Sequence, residues 1–129
     1  MNRPSLKLVI LPEILAVSRH EASDPIPDWV KGESFMSISR TRDELSVICE
    51  ERFLPESVHA SRGWRAFKIV GPLDLGLVGI LVSVAVPLAQ SGISVLPIGT
   101  YETDYVLVRE EHLAEACKAL RFAGFDVED

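Results

Sequence analysis

The sequence predicts an α+β protein of two related halves, with antiparallel sheets and the helices packed on one sheet face. Three observations point there. From Trp64 onward the apolar pattern reads β-α-β-β-α-β, an order that folds into an antiparallel sheet with both helices on the same side. Part of that pattern is echoed sixty positions upstream: Ile38, Glu44, Leu45, Val47, Ile48, Glu50 and Glu51 fall opposite Ile98, Asp104, Tyr105, Leu107, Val108, Glu110 and Glu111 without a gap. Such a register predicts a duplicated supersecondary unit. Finally, 129 residues with 47% hydrophobic and 25% charged side chains suit a folded chain of one domain or two small fused units. The expected halves are 1–62 and 63–129.

In the first half, Leu6–Ile10 reads as a strand ending before Pro12, and Ile14–Ser18 as another. Asp24-Pro25-Ile26-Pro27-Asp28 is a rigid connector, because each proline fixes its own φ and restrains the residue before it. Trp29-Val30 can add one helical turn. Phe35–Ser39 and Leu45–Cys49 flank the polar corner Arg40-Thr41-Arg42-Asp43 and read as a hairpin. The Phe53–Gly63 stretch, with Pro55, His59, Ser61 and Gly63, reads as a loop and a boundary.

The second half is more regular. Trp64–Val70 is expected as a strand, Leu75–Ser91 as a helix, and Ile93–Thr100 and Tyr105–Arg109 as strands. Glu110-Glu111-His112 opens an acid-tipped helix that suits the helix dipole and stops at Gly124, before a short Phe125–Val127 strand. Pro87 inside the first helix removes one hydrogen bond, so a bend and not a break is expected. The run Leu75–Tyr101 carries no charge, long enough to suggest a membrane span. However, small or polar residues recur along it and Gln90-Ser91-Gly92 interrupts it, so a helix followed by a strand is the better reading.

Several function classes are disfavoured. A net charge of −6 argues against nucleic acid, since phosphate binding needs a basic face. Cys49 and Cys117 sit in apolar stretches without metal-ligand spacing, which predicts buried thiols in a reducing cytoplasm. The N-terminal residues lack the apolar core and cleavage site of a secretory signal. His20, His59 and His112 are scattered, and His112 at a helix start reads as solvated. Gly76-Leu77-Val78-Gly79 lacks the rest of a dinucleotide fingerprint, and no nucleophile elbow occurs. No catalytic residue, metal site or cofactor is expected. Trp29 and Trp64 read as packing residues.

What remains is a small-molecule site. The turn Gly71–Gly76 offers free N–H groups at a helix start, which suit a carboxylate; Asp74 within it either meets a ligand or caps the helix. Asp104 is a second carboxylate, at a strand end, where Thr103-Asp104 also fits a hairpin corner bonding its own backbone.

The motifs Val78-Gly79-Ile80-Leu81, Pro87-Leu88-Ala89, Ile93-Ser94-Val95, Thr100-Tyr101-Glu102-Thr103-Asp104 and Val106-Leu107-Val108, with Trp64-Arg65-Ala66, resemble the ACT domain family, ferredoxin-like modules that sense amino acids. Within it they are similar to small bacterial proteins of two fused ACT-like halves and to the paired domains of the cytosolic arginine sensor. The likeness covers the second half strongly and the first half through the echo. The first half lacks both helices and looks like a trimmed repeat. The resemblance implies that Thr100, Tyr101 and Asp104 form a ligand-contacting elbow and that Val78, Gly79 and Ile80 form the helix start facing the same amino acid. A carboxylate can neutralise an ammonium or guanidinium while a helix terminus takes the α-carboxylate. The expectation is therefore a cytoplasmic, amino-acid-binding regulatory homodimer without catalytic activity. The competing class is an interaction module that docks on a partner protein and binds no small ligand, marked by a persistent apolar surface patch.

Overall fold

The computed structural model describes residues 6–71 and 79–129, and among them it contains eight strands and two α-helices. The strands are β1 (Lys7–Ile10), β2 (Leu15–His20), β3 (Ser37–Arg40), β4 (Leu45–Glu50), β5 (Ala60–Ile69), β6 (Val95–Gly99), β7 (Asp104–Arg109) and β8 (Asp126–Glu128). The helices are α1 (Ile80–Gln90) and α2 (Leu113–Phe122). Two compact units emerge: Glu13–Trp64 form one, and the residues up to Pro12 join those from Arg65 onward to form the other. The boundary falls inside β5. Phe53–Gly63 is thus not all loop, for its last residues, despite the polar Ala-Ser-Arg-Gly sequence, pair with β2 through Ser18↔Ala60, Val17↔Ser61 and Leu15↔Trp64. Ladder partners decide strand formation more than intrinsic preference does.

In the Glu13–Trp64 unit the strands run β3-β4-β2-β5, antiparallel throughout. Ala16, Leu45, Val47, Cys49 and Leu54 form its core, and Trp29, Val30, Val58 and Ala60 pack against them. No α-helix occurs among this unit's described residues; the proline-bearing connector supplies the cover, with one turn closed by Val30 N–H to Pro27 O at 3.1 Å. Trp29 is a packing residue, as expected, and Trp64 donates its indole N–H to Ser61 Oγ at 2.9 Å.

The second unit runs β6-β7-β5-β1-β8. Here β1 is antiparallel to β5 but parallel to β8, one exception to the antiparallel expectation. Period-two alternation puts Leu8, Ile10, Phe67, Ile69, Val106, Val108 and Val127 into one core with Val84 and Leu88 of α1 and Ala116, Cys117 and Leu120 of α2. Both cysteines are free and buried, and desolvation pushes each thiol up from its ordinary range.

Among the described residues helix α1 runs from Ile80, behind Gly79 at φ +84°, a left-handed conformation; the Leu75–Val78 part of the expected helix lies outside the described residues. Helix α1 runs unbroken through Pro87, and Gly92 at φ +75° turns the chain towards β6. At 11 residues α1 spans about 16 Å, half a bilayer core. No described helix is long and apolar enough to cross a membrane. A 3-10 turn, Glu110–His112, precedes α2, and Gly124 at φ +100° follows it.

The duplication carries a different register from the one the identities suggest. β4 and β7 start at Leu45 and Asp104, and the following 3-10 turns at Glu51 and Glu110, each fifty-nine residues apart. The hairpins agree: Thr41 N–H donates to Glu44 O at 2.9 Å, and Thr100 N–H to Thr103 O at 2.8 Å. At this spacing Val47 and Cys49 match Val106 and Val108, all facing their own unit's core. The sixty-residue register would turn every matched side chain to the opposite face.

Candidate functional site

The elbow between β6 and β7 is built by its threonines. Thr100 Oγ1 accepts from Thr103 N–H at 3.3 Å and donates to Thr103 O at 2.9 Å, closing a turn around Tyr101 and Glu102. The Thr103 hydroxyl is buried and donates to Ile69 O at 2.5 Å. Leu8 and Ile69 form a non-hydrogen-bonded pair, since Val70 N–H donates to Lys7 O; the Ile69 carbonyl therefore points away from β1, towards the elbow. Thr103 thus ties the elbow to the end of β5, from which the chain leaves towards α1.

Gly99 and Asp104 face each other across the first rung of the hairpin. Because Thr100 and Thr103 share the closing bond, this rung is non-hydrogen-bonded, the closer of the two spacings. A Cβ on Gly99 would lie 3.3 Å from Asp104 Oδ1, so the glycine keeps room beside that carboxylate. Asp104 is half-buried, and its side chain makes no hydrogen bond or ion pair with another described residue. Tyr101 stands 81% exposed at the tip, so its ring is free to move onto a ligand. At the helix tip, Gly79 accepts from Ser83 N–H at 2.9 Å, no described side chain caps the end, and the first turn holds no acid. Among the described residues no side chain occupies the leading N–H groups of α1, the kind of donors that suit an anion.

Of the expected ligand residues, Thr100, Tyr101 and Asp104 share the elbow, while Gly79 and Ile80 form the cap and first residue of α1 in the same unit. Asp74 and Val78 lie outside the described residues, and with them the cap role considered for Asp74; the residue before the first helical position, Ile80, is Gly79. Two residues were missed. Gly99 matters through its cross-strand partner, and Thr103 through Ile69; neither partnership is encoded in local spacing. His112 is a correction: Nδ1 is buried, with no hydrogen-bond partner among the described residues, and not solvated.

Elsewhere, Glu50 is buried, receives Arg52 Nε at 3.1 Å and accepts Glu33 N–H at 3.2 Å, fastening the connector to the end of β4. Ser18 Oγ lies 2.9 Å from His20 Nε2, yet Ser18 is buried within the sheet and presents no face to a substrate. No group of three His, Cys, Asp or Glu among the described residues is arranged to hold a metal.

A family model described as an ACT domain matches residues 59–121, and a second, described as an N-terminal domain, matches 13–57. Residues 59–121 belong to the ACT domain family. The human cytosolic arginine sensor for mTORC1 subunit 1 is 49% identical over 91 residues, 62% of this chain and 28% of that protein. An X-ray structure of the Agrobacterium tumefaciens protein Atu0741 is 38% identical, with a TM-score of 0.90 over 97% of this chain and 93% of that one. The regulatory subunit of aspartate kinase from Thermus thermophilus shares the fold at 14% identity, with a TM-score of 0.59 over 92% of this ACT protein and 99% of that chain. This ACT chain spans 56% of the human relative CASTOR3P and 28% of the bovine arginine sensor subunit, so it covers only part of the curated relatives it matches.

Proposed function

We propose that this ACT protein is a non-catalytic cytoplasmic regulator that binds a free amino acid at the elbow and the tip of α1. The observation that carries the reading is the Asp104 carboxylate, unpaired among the described residues and kept approachable by Gly99 on a corner anchored by Thr103. Asp104 would meet the ammonium or a cationic side chain. The N–H groups behind Gly79 and Ile80 would take the α-carboxylate, with Thr100 shaping the corner and Tyr101 folding over the ligand. Asp74 and Val78, in the segment ahead of α1, complete the proposed contacts. The similarity to an arginine sensor and to an aspartate kinase regulatory subunit supports amino-acid binding and a regulatory role. We further propose that the active form is a homodimer, which neither a nucleic acid nor a membrane is needed to assemble.

Thermal melting against the twenty amino acids tests the binding. A ligand at a hundred times its Kd stabilises by about 2.7 kcal/mol, a shift of several degrees for a chain of this size. Asp104→Ala should abolish the shift while leaving the unliganded melt nearly unchanged. A flat response of the wild type to every amino acid at millimolar concentration would reject the ligand and favour a docking module, for which the exposed Val82 and Val86 of α1 and Phe122 of α2 provide apolar surface.

A further inference from the structure

The chain crosses from β2 to β3 without a helix. Both strands are antiparallel to β4 and hence parallel to each other, so the residues between them must run back along the sheet, as α1 does between β5 and β6. Pro25 and Pro27 disfavour a helix here, since each lacks a backbone donor and holds the residue before it extended. Glu21–Ser34 is instead a strap with two local turns, Asp24 N–H to Glu21 O at 3.0 Å and Val30 N–H to Pro27 O at 3.1 Å. Trp29 and Val30 form its plug, half-buried against the core that contains Ala16, Val47 and Cys49, while Ile26 between the prolines stays 48% exposed. The Trp29 ring lies 5.7 Å from that of His20, whose Nε2 is 2.9 Å from the buried Ser18 Oγ.

Side chains fasten the strap at both ends. At its start Arg40 Nη1 donates to Ala22 O. At its finish Ser34 Oγ donates to Glu13 Oε2 at 2.5 Å, and Glu33 N–H to Glu50 Oε2 at 3.2 Å. The Glu50 contact is the demanding one. Its side chain is 2% exposed and Oε1 already receives Arg52 Nε at 3.1 Å, so Oε2 relies on the strap. Gly32 permits the approach: a Cβ there would lie 2.7 Å from Glu50 Oε2, and its φ of +149° is one that side chains rarely adopt. These fastenings stand outside the β3-β4-β2 ladder, which therefore does not depend on a closed strap. Release would strand no polar group either, because water would reach the freed Ala22 O, Glu33 N–H and Glu50 carboxylate together.

We infer that Glu21–Ser34 opens as one piece, released at Glu50 and withdrawing Trp29, and so uncovers the Cys49 face of an otherwise folded sheet. This rests neither on amino-acid binding nor on a homodimer. Cys117, in the core of the other unit, is the internal control. Thiol labelling of the full chain, with the labelled peptide identified by mass spectrometry, reads the opening. Gly32→Ala drives the strap off the Glu50 carboxylate, and Trp29→Ala removes the plug. Each should speed Cys49 labelling at least about tenfold over the wild type and leave Cys117 unchanged, because a local opening exposes one thiol and a global one exposes both. Amide hydrogen exchange should find the β2–β4 ladder as protected as in the wild type. Ser34→Ala loosens the same end without touching the core, so the test stands even where the other two variants fail to fold. Cys49 and Cys117 speeding up together, ladder amides losing protection along with Cys49, or Cys49 staying at the wild-type rate in the folded variants would each overturn the strap.

Discussion

Replacing Thr103 with Val tests whether the elbow is anchored as described. The substitution preserves shape and removes the hydroxyl that donates to Ile69 O at 2.5 Å. Both residues are buried, at 6% and 0% exposure, so water does not readily replace the lost donor. A buried acceptor stripped of its partner costs about 1–3 kcal/mol. For 129 residues that corresponds to a fall in Tm of roughly 5–10 °C. Urea unfolding should show a lower midpoint with an unchanged slope, because the surface exposed on unfolding stays the same. Thr103→Ser retains the hydroxyl and should recover most of the loss. Tyr101→Ala, at a site 81% exposed, should alter stability by less than about 0.5 kcal/mol while reducing the response to amino acids. A Thr103→Val protein melting within a degree of the wild type would refute the anchor.

Gly99 and the thiols give further expectations. Gly99→Val suits a strand and should fold at least as well as the wild type, but its Cβ meets Asp104 Oδ1 at 3.3 Å; calorimetric titration should show amino-acid binding lost, and retained affinity would sink the role of that space. Cys49 and Cys117 are raised by burial, so their contribution to stability is complete below the ordinary thiol range near about 8.5 and is lost as pH climbs through the higher folded values. The melting temperature should fall from that range upward. A thiol reagent should label neither cysteine in the native protein at pH 8 and both in denaturant, and rapid native labelling would contradict the buried placement.

Much of the fold was legible because apolar periodicity and sheet pairing agree. The strands after Arg65 and the helix over Leu113–Phe122 follow the pattern closely. The expected start of the helix at Leu75 lies outside the described residues, and from Ile80 onward the apolar run is helical as the pattern predicts. Ala60–Gly63 read as loop because its residues are polar, whereas pairing with β2 makes it strand. The elbow residues stood out as polar among apolar neighbours. What Thr103 and Gly99 do could not be read, because each acts on a residue brought near only by the strand register.

The one-residue error in the duplicated register has the same root. β4 and β7 each carry three consecutive buried residues, Val47-Ile48-Cys49 and Val106-Leu107-Val108, so a slip of one still sets apolar opposite apolar. Composition cannot detect the slip, but facing can, since the sheet alternates with period two. The turn threonines Thr41 and Thr100 settle it through their shared bonds to Glu44 and Thr103. In this register Glu50 occupies the position of Arg109, a reversal of charge at the strand end. A carboxylate there accepts the Glu33 N–H and holds the connector that stands in the first unit where α1 stands in the second. A guanidinium, having only donors, could not make that bond. The carboxylate at the end of β4 thus supplies an anchor for the loop that the corresponding Arg109 could not.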